Sequence, residues 1–404
     1  MSDLATKTPA KAPPSVPEVI SLGCRLNLSE SERIRAMLSG EQDVVVINSC
    51  AVTSEAVRQT RQAIRKARRA NPDARLMVTG CAADIEREQL SAMPEVDGLI
   101  ANTQKLDPRA WNVPSEASPV PAQHTRAFIA VQNGCDHACT FCVIPQGRGP
   151  SRSLSIAQVL AEVEQHLAQG APEIVLTGVD VTSWGHDLPD TPPLGTLVEA
   201  ILKACPALQR LRMSSLDGIE IDPLLFELFA SETRLMPHLH LSLQHGHDLI
   251  LKRMKRRHLR GDAIDLVTRL KAHRPDIAIG ADLIAGFPTE TEEHHAVNLS
   301  IIRELAIVHG HIFPYSPRPG TPAARMPQIE RPIIKRRAAE LRAAVSEVRA
   351  EWLTTLVDKP LSVLAESDGT GYSPDFARVK LPEGAQRGEI VMVTPSAIEE
   401  GILT

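Results

Sequence analysis

Three cysteines about one third of the way along the chain, Cys135, Cys139 and Cys142, are spaced C-x3-C-x2-C. Three thiolates on one short loop can bind three irons of a cubane iron–sulfur cluster and leave the fourth iron without a protein ligand. An iron with an open position can coordinate a substrate, which a catalytic cluster requires. The alternative is a structural zinc loop, but zinc favours four ligands in paired C-x2-C halves, and the neighbouring sequence offers no second half. The spacing therefore favours an iron–sulfur cluster.

A second set of three cysteines lies in the first hundred residues, and each of them ends an apolar, strand-like run. The three are Cys24, Cys50 and Cys81, and a helical pattern follows each, the third over about residues 84–93. Apolar runs that alternate with helices indicate βαβ units and a buried parallel sheet. The carboxyl ends of such strands share one edge, so we expect these cysteines to converge on a second three-thiolate site. The competing interpretation is buried core cysteines, which is how we interpret the isolated Cys205.

This alternation continues along the chain and predicts an α/β fold. We expect a doubly wound parallel-sheet domain over 18–125, a partial (β/α)6 barrel over 126–350 and a small β-module over 351–404. The tail, residues 1–17, is rich in Ala, Pro, Lys and Ser and is expected to be disordered. The last part alternates apolar and polar residues with a period near two, and its shortness predicts that it packs on the barrel.

The barrel is predicted from six strand-like runs that alternate with helical patterns, two units short of a full (β/α)8 barrel. The runs are 128–132, 173–176, 211–214, 238–243, 277–284 and 311–314. The C-x3-C-x2-C loop follows the first run directly. It should therefore share one face of the barrel with the other loops that connect a strand to the next helix.

Those loops carry small and polar residues, which we predict to line a cofactor site. The residues are Gly178 and Asp180 after the second strand, Ser214 after the third, Gln244 after the fourth and Gly286 after the fifth. Glycine lets a ligand approach the backbone closely, and the carboxylate of Asp180 could accept a hydrogen bond from an ammonium group or a ribose hydroxyl.

Charge is nearly balanced over the whole chain, with a net charge of −5, so contact with a polyanion requires local basic runs. One helix after Cys50 presents four arginines on one face, and a second basic run follows the fourth barrel strand. These residues are Arg58, Arg61, Arg65 and Arg68 in the helix, and Lys252, Lys255, Arg256 and Arg257 in the second run. They are interpreted either as a solvated surface or as contacts to RNA phosphates.

The sequence shows no secretory signal and no run of eighteen apolar residues, so we expect a cytoplasmic protein that does not cross a membrane. Six of the seven cysteines fall into two sets of three. In a reducing compartment this pattern favours metal ligation over disulfide bonds.

Several motifs resemble the methylthiotransferases of the radical S-adenosylmethionine superfamily, and within them the group that acts on threonylcarbamoyladenosine in tRNA. The first motif is Gly23-Cys24-Arg25-Leu26-Asn27 with Glu30, and the second is Gln132-Asn133-Gly134-Cys135-Asp136, continued by Ile144-Pro145 and residues 147–152. The resemblance covers nearly the whole chain.

The resemblance implies two 4Fe–4S clusters and S-adenosylmethionine as cofactors. Cys135, Cys139 and Cys142 would hold the cluster whose open iron binds S-adenosylmethionine and generates a deoxyadenosyl radical. The three N-terminal cysteines would hold an auxiliary cluster that delivers sulfur, and a second S-adenosylmethionine would donate the methyl group. The five polar and glycine positions of the barrel loops match places expected to contact S-adenosylmethionine.

The resemblance also implies partners: the anticodon stem-loop of tRNA, an electron donor such as flavodoxin or ferredoxin, and a sulfur source. The last part of the chain resembles a TRAM domain, a small RNA-binding β-barrel, although it is short. Two other functions stay open on the sequence alone. One is the same chemistry on isopentenyladenosine in tRNA or on an aspartate of a ribosomal protein, and the other is a non-catalytic RNA-binding metalloprotein.

Overall fold

The computed structural model describes residues 17–114 and 125–404, which form two compact units. One unit comprises 17–51 and 55–114 of these residues, and the other comprises 52–54 and 125–404. The predicted disordered tail, apart from its last residue, lies outside the described residues. None of the helices within the described ranges combines the length and apolar content needed to cross a membrane.

The first unit is built on a parallel four-stranded sheet in the order β1-β2-β3-β4. Its strands are β1 (Glu18–Ser21), β2 (Val44–Ser49), β3 (Arg75–Gly80) and β4 (Gly98–Leu99). Its helices are α1 (Arg25–Met37), α2 (Ser54–Ala70), α3 (Cys81–Ile85), α4 (Arg87–Ser91) and α5 (Pro108–Trp111). Every residue of β2 is buried, as expected of a central strand covered on both faces.

The first unit divides one predicted helix into two and buries one side of α2. The helix predicted over about 84–93 is wrong as a single element, because the backbone at Glu86 leaves the helical region (φ −116°, ψ 32°) and separates α3 from α4. On α2, Val57, Thr60, Ile64 and Ala67 are buried at helical spacing. The buried side of α2 is therefore mostly apolar, and its arginines lie on the other faces.

The second unit contains the predicted partial barrel, built from two parallel three-stranded sheets. The first sheet has β5 (Ala127–Ala130), β8 (Glu173–Thr177) and β9 (Arg210–Met213), and the second has β10 (His238–Gln244), β11 (Ala278–Ala285) and β12 (Ile307–Pro314). Parallel bridges between Leu211 and Leu235 and between Leu216 and Leu241 join the two sheets. The α/β fold is thus confirmed, although β12 begins at Ile307 rather than at the predicted residue 311.

Helices cover the outside of this barrel, and a short hairpin frames the cysteine loop. The hairpin pairs β6 (Gln132–Asn133) with β7 (Arg152–Ser153). The helices are α6 (Ile144–Arg148), α7 (Ile156–Ala168), α8 (Leu194–Ala204), α9 (Pro223–Ser231), α10 (Asp248–Arg253), α11 (Arg260–His273), α12 (Glu292–Glu304) and α13 (Arg331–Thr354). Cys205 is buried in the apolar core between strands and helices, as expected of a core cysteine.

The last part of the chain is a six-stranded sheet in the order β16-β13-β14-β15-β18-β17. Its strands are β13 (Leu361–Ala365), β14 (Thr370–Tyr372), β15 (Arg378–Lys380), β16 (Ile390–Val393), β17 (Ile398–Glu399) and β18 (Ile402–Leu403). It packs against the N-terminal ends of the barrel strands. There Arg210 donates to the carbonyl oxygens of Ser362 (2.6 Å) and Tyr372 (3.2 Å), beside a buried Glu173.

Candidate metal centres

The loop that carries Cys135, Cys139 and Cys142 is fixed to the barrel by Gln132. The Gln132 side-chain nitrogen donates to the carbonyl oxygen of Gly134 (2.9 Å), and its side-chain oxygen accepts from the N–H groups of Val179 (3.1 Å) and Asp180 (2.9 Å). Gly134 has φ +79°, and a Cβ there would lie 1.9 Å from the carbonyl oxygen of Pro150. The Gln-Asn-Gly sequence before Cys135 therefore ties the cysteine loop to the loop after β8.

Each sulfur of this loop accepts a hydrogen bond from a nitrogen, which is the environment that an anionic thiolate requires. The donors are the backbone N–H of His137 to Cys135 (3.4 Å), the backbone N–H of Ile144 to Cys142 (3.4 Å) and Nη1 of Arg256 to Cys139 (3.7 Å). Such hydrogen bonds tune iron–sulfur clusters. All three cysteines are half-buried and none forms a disulfide. The loop therefore fits a cluster held by three thiolates.

The ionisation of Cys135 supports a ligand rather than a nucleophile. Burial and the nearby Asp180 carboxylate raise the pKa of the Cys135 thiol to about 12. A thiol with that pKa is protonated and unreactive at neutral pH, whereas a bound metal deprotonates a coordinating thiol outright. The site thus favours the thiolate only when a cation is bound.

A charged network that sequence reasoning missed surrounds this loop. His137 Nε2 lies 2.7 Å from Asp180 Oδ2, and Arg257 Nη1 lies 2.6 Å from Glu220 Oε1. Hydrogen bonds to Asp180 and Glu220 raise the pKa of His137 to about 10. Burial opposes ionisation of Glu220, but hydrogen bonds with His137 and Arg257 lower its pKa to about 2. The position of His137 between Cys135 and Cys139 could have predicted its role in this network. Glu220 follows β9 in no recognisable motif, so the sequence could not have predicted its role.

The predicted cofactor residues fall into different environments. Asp180 Oδ2 lies 3.9 Å from the Cys135 sulfur, and Gly178 approaches Gln132 so closely that a Cβ would lie 2.8 Å from its carbonyl oxygen. The buried hydroxyl of Ser214 has no hydrogen-bond partner among the described residues, which suits a ligand contact.

Two of the five predicted cofactor residues have backbones in the left-handed region, and for one of them packing explains why it is a glycine. Gln244 ends β10 with φ +70°, where the pairing with β11 shifts register. Gly286 has φ +73°, and a Cβ there would lie 2.6 Å from Ile334 on α13. Its N–H donates to Glu290 (2.8 Å). Gly286 therefore allows α13 to pack closely, and its predicted contact with a cofactor stays a prediction.

The second cysteine set lies at one edge of the first unit, because β1, β2 and β3 are adjacent and parallel. Cys24 is exposed at the start of α1, Cys50 is buried directly after β2, and Cys81 is buried at the start of α3. Gly23 lies against Cys50, since a Cβ on it would be 2.7 Å from the Cys50 sulfur. Nδ2 of Asn102 lies 3.9 Å from the Cys81 sulfur. Parallel topology thus brings three thiols, distant in sequence, to the same sheet edge.

Two of the eight predicted RNA-contacting residues are mostly shielded from solvent, whereas Arg257 stays 45% exposed beside Glu220. Arg256 is only 8% exposed, because its guanidinium is held by Asp217 (2.8 Å) and directed at Cys139. Arg68 donates to the carbonyl oxygens of Ala74 (2.7 Å) and Glu95 (2.9 Å), and so joins α2 to the segments that precede β3 and β4. A count of basic residues cannot distinguish a buried guanidinium from one that faces solvent.

The remaining basic residues are accessible to a ligand. Arg58 and Arg65 are 57% and 54% exposed and form ion pairs with Glu55 (2.5 Å) and Glu95 (3.9 Å). Arg61 pairs with Glu86 at 3.1 Å. Lys252, Lys255 and Arg257 are exposed. Exposed ion pairs contribute little to stability, so these arginines can exchange their carboxylate partners for phosphates.

Comparison with known proteins identifies both units. The sequence model described as Radical SAM superfamily matches residues 129–299, and the one described as Uncharacterized protein family UPF0004 matches residues 18–101. The chain is 44% identical to the threonylcarbamoyladenosine tRNA methylthiotransferase of Rickettsia prowazekii, over 96% of each chain. It is 33% identical to the tRNA-2-methylthio-N(6)-dimethylallyladenosine synthase of Paracoccus denitrificans, over 91% of this chain and 89% of that protein.

Solved structures show the same fold at low identity. The radical S-adenosylmethionine methyltransferase TsrM from Kitasatospora setae superposes with a TM-score of 0.52 at 17% identity, covering 73% of this chain and 66% of that one. The cobalamin-dependent radical enzyme OxsB superposes with a TM-score of 0.51 at 12% identity, covering 82% of this chain and 56% of that one. At these identities the similarity extends to the fold alone.

Proposed function

Because the chain belongs to the radical S-adenosylmethionine methylthiotransferases, we propose that it adds sulfur and a methyl group to C2 of N6-threonylcarbamoyladenosine beside the tRNA anticodon. The observation that carries this proposal is the 44% identity to a threonylcarbamoyladenosine-modifying enzyme over 96% of both chains. Both cysteine triads that such chemistry needs are present within this span. Membership of this enzyme family rules out the non-catalytic metalloprotein considered above.

Two groups of residues hold the cofactors. We assign Cys135, Cys139 and Cys142 to one 4Fe–4S cluster and Cys24, Cys50 and Cys81 to the other. When bound, the two clusters and S-adenosylmethionine supply the radical, the sulfur and the methyl group. The protein supplies three thiolates to each cluster and, around the barrel loop, a fixed set of N–H donors to the sulfurs.

Binding of S-adenosylmethionine is assigned to the polar residues beside the barrel loop. The Asp180 carboxylate is oriented because it accepts hydrogen bonds from His137 Nε2 (2.7 Å) and from the hydroxyl of Ser183 (2.7 Å). Ser214 contributes a buried hydroxyl that has no partner within the described residues. An anionic carboxylate and a free hydroxyl suit the ammonium, ribose and carboxylate groups of the cofactor.

The substrate is an anionic RNA, and the exposed basic residues are its proposed contacts. Arg58, Arg61 and Arg65 form one group and Lys252, Lys255 and Arg257 the other. A one-electron donor such as flavodoxin or ferredoxin and a separate sulfur source complete the proposal. The site of action is the cytoplasm, where tRNA is modified.

The second candidate substrate is isopentenyladenosine in tRNA, because a relative with that kind of substrate is 33% identical over 91% of this chain. An anaerobic assay on two otherwise identical anticodon stem-loops, one with each modified adenosine, separates the two. We expect methylthiolation of the threonylcarbamoyl stem-loop only. Preference for the isopentenyl stem-loop would overturn the substrate assignment, and a Cys139→Ala variant controls for reaction without the barrel cluster.

A further inference from the structure

The inner face of the second barrel sheet carries two histidines and an aspartate that the cofactor assignments leave unused. His240 lies on β10, Asp282 on β11 and His311 on β12, and these three strands are adjacent and parallel. The sequence neighbours of His240 and Asp282 (Leu239, Leu241, Ala281 and Leu283) pack in the apolar core, and Gly310, the neighbour of His311, lies against Val345 of α13. Because side chains alternate along a strand, the three polar residues point to the opposite side, into the barrel.

The three side chains already meet at one point. His240 Nε2 lies 3.0 Å and His311 Nδ1 lies 3.1 Å from the same oxygen, Oδ1 of Asp282. One ligand atom from each residue lies within 4.8 Å of both others. Donors that share a metal at about 2.0–2.2 Å are about 3–3.4 Å apart. A cation therefore fits between these atoms with only small movements.

The surroundings favour a metal over a plain surface contact. The Asp282 side chain is 17% exposed and that of His240 is 6% exposed. The absence of a side chain at Gly280 leaves room for the His240 ring, because a Cβ at Gly280 would lie 2.3 Å from His240 Nδ1.

We propose that His240, Asp282 and His311 form a binding site for a divalent transition-metal cation, either Zn²⁺ or Fe²⁺. Two imidazoles and one carboxylate are a ligand set that both cations accept. His311 is 61% exposed, so the side of the site toward His311 is open to water or another oxygen ligand. The site is separate in sequence from the six cysteines and does not depend on which tRNA base is modified.

Zinc titration of the full-length chain with both iron–sulfur clusters loaded tests this site, because loading removes the six cysteines as competing ligands. Calorimetry and elemental analysis after gel filtration give affinity and stoichiometry. We expect one zinc per chain in the wild type and in the control His186→Gln, whose histidine is exposed. His240→Gln and His311→Gln should each weaken binding by at least about tenfold.

Two results would overturn the proposal. One is a wild-type protein that binds no zinc. Because a site of nitrogen and oxygen ligands binds Zn²⁺ more tightly than Fe²⁺, that result would leave His240, Asp282 and His311 as a hydrogen-bonded network only. The other is equal zinc binding in the wild type and in His311→Gln, which would place the metal elsewhere. Since His311 is largely exposed, its replacement should leave the fold intact. The readout is metal content, so the result is independent of the tRNA substrate.

Discussion

Arg256 donates a hydrogen bond from Nη1 to the sulfur of Cys139 over 3.7 Å, while its Nη2 is held by Asp217 and by the carbonyl oxygen of Ser242, each at 2.8 Å. A guanidinium is thereby fixed beside one thiolate of the barrel loop. Positive charge and hydrogen bonds near the sulfurs stabilise the reduced, more negative form of an iron–sulfur cluster.

Replacing Arg256 should therefore lower the reduction potential of the barrel cluster. We expect Arg256→Gln to shift it negatively by on the order of 50 mV, the equivalent of one charge-assisted hydrogen bond. Redox titration followed by EPR measures this, in a background in which all three N-terminal cysteines are alanine. Lys255→Gln is the matched control, because Lys255 is exposed in the same basic run. Equal potentials in both variants would contradict the role assigned to Arg256.

The two cysteine sets should separate two parts of the reaction. Cys24→Ala should still produce deoxyadenosine but should no longer methylthiolate tRNA, because only the N-terminal cluster is disturbed. Cys139→Ala should lose both activities and still bind tRNA. Iron content should fall from about eight to about four per chain in either variant. Full methylthiolation by Cys24→Ala would refute a sulfur-donating role for the N-terminal set.

The buried ion pair of the first unit should be essential for its stability. Lys105 Nζ lies 2.5 Å from Glu30 Oε2, and both side chains are 1% exposed. Lys105→Met removes the ammonium group 2.5 Å from the buried Glu30 carboxylate and should lower the free energy of unfolding by about 3–5 kcal/mol. Urea denaturation checks this against Lys66→Met, which changes an exposed lysine.

A double variant makes that test specific to the pair. Glu30→Gln combined with Lys105→Met removes both charges of the pair, so it should recover part of the lost stability. If both variants are equally unstable, the loss comes from packing around Lys105 rather than from its charge.

Acid should weaken the second unit partly through His309. Burial and the nearby Arg349 lower the pKa of His309 from 6.5 to about 3. Below pH 6.5 the imidazole of His309 is therefore protonated in the unfolded chain but stays neutral in the folded chain. The free energy of unfolding consequently falls as the pH drops from 6.5 toward 3. His309→Gln should make this decline shallower, by at most about 1.4 kcal/mol per pH unit. Thermal unfolding as a function of pH measures it, and a slope unchanged from that of the wild type would exclude His309.

Exposed arginines of α2 should contribute to tRNA affinity through phosphates. The double change Arg58→Gln and Arg65→Gln should weaken binding and reduce the slope of log K against log salt by about 0.7–0.9 per lost contact. Arg109→Gln is the control, because Arg109 is 88% exposed but lies outside this helix. Binding curves over a range of salt concentrations decide the matter. A slope no different from that of the control would make the α2 arginines a solvated surface.

The sequence predicted the strands well because buried parallel strands are apolar throughout, as β2 is. It also placed Cys24, Cys50 and Cys81 at strand ends, since parallel topology fixes where strand ends meet. The sequence did not predict the environment of side chains that is determined by tertiary contacts. Arg256 is a buried partner of Cys139 rather than a surface cation, and nothing in the basic run distinguishes it from Lys255.

We propose that this chain methylthiolates threonylcarbamoyladenosine in tRNA. Mass spectrometry of tRNA nucleosides from a strain that lacks the gene measures the product of this reaction in the cell. We predict that 2-methylthio-N6-threonylcarbamoyladenosine disappears, that the unmethylthiolated nucleoside accumulates, and that the wild-type gene but not Cys139→Ala restores the product. An undiminished level of the methylthiolated nucleoside in the deletion strain would show that another enzyme carries out this modification.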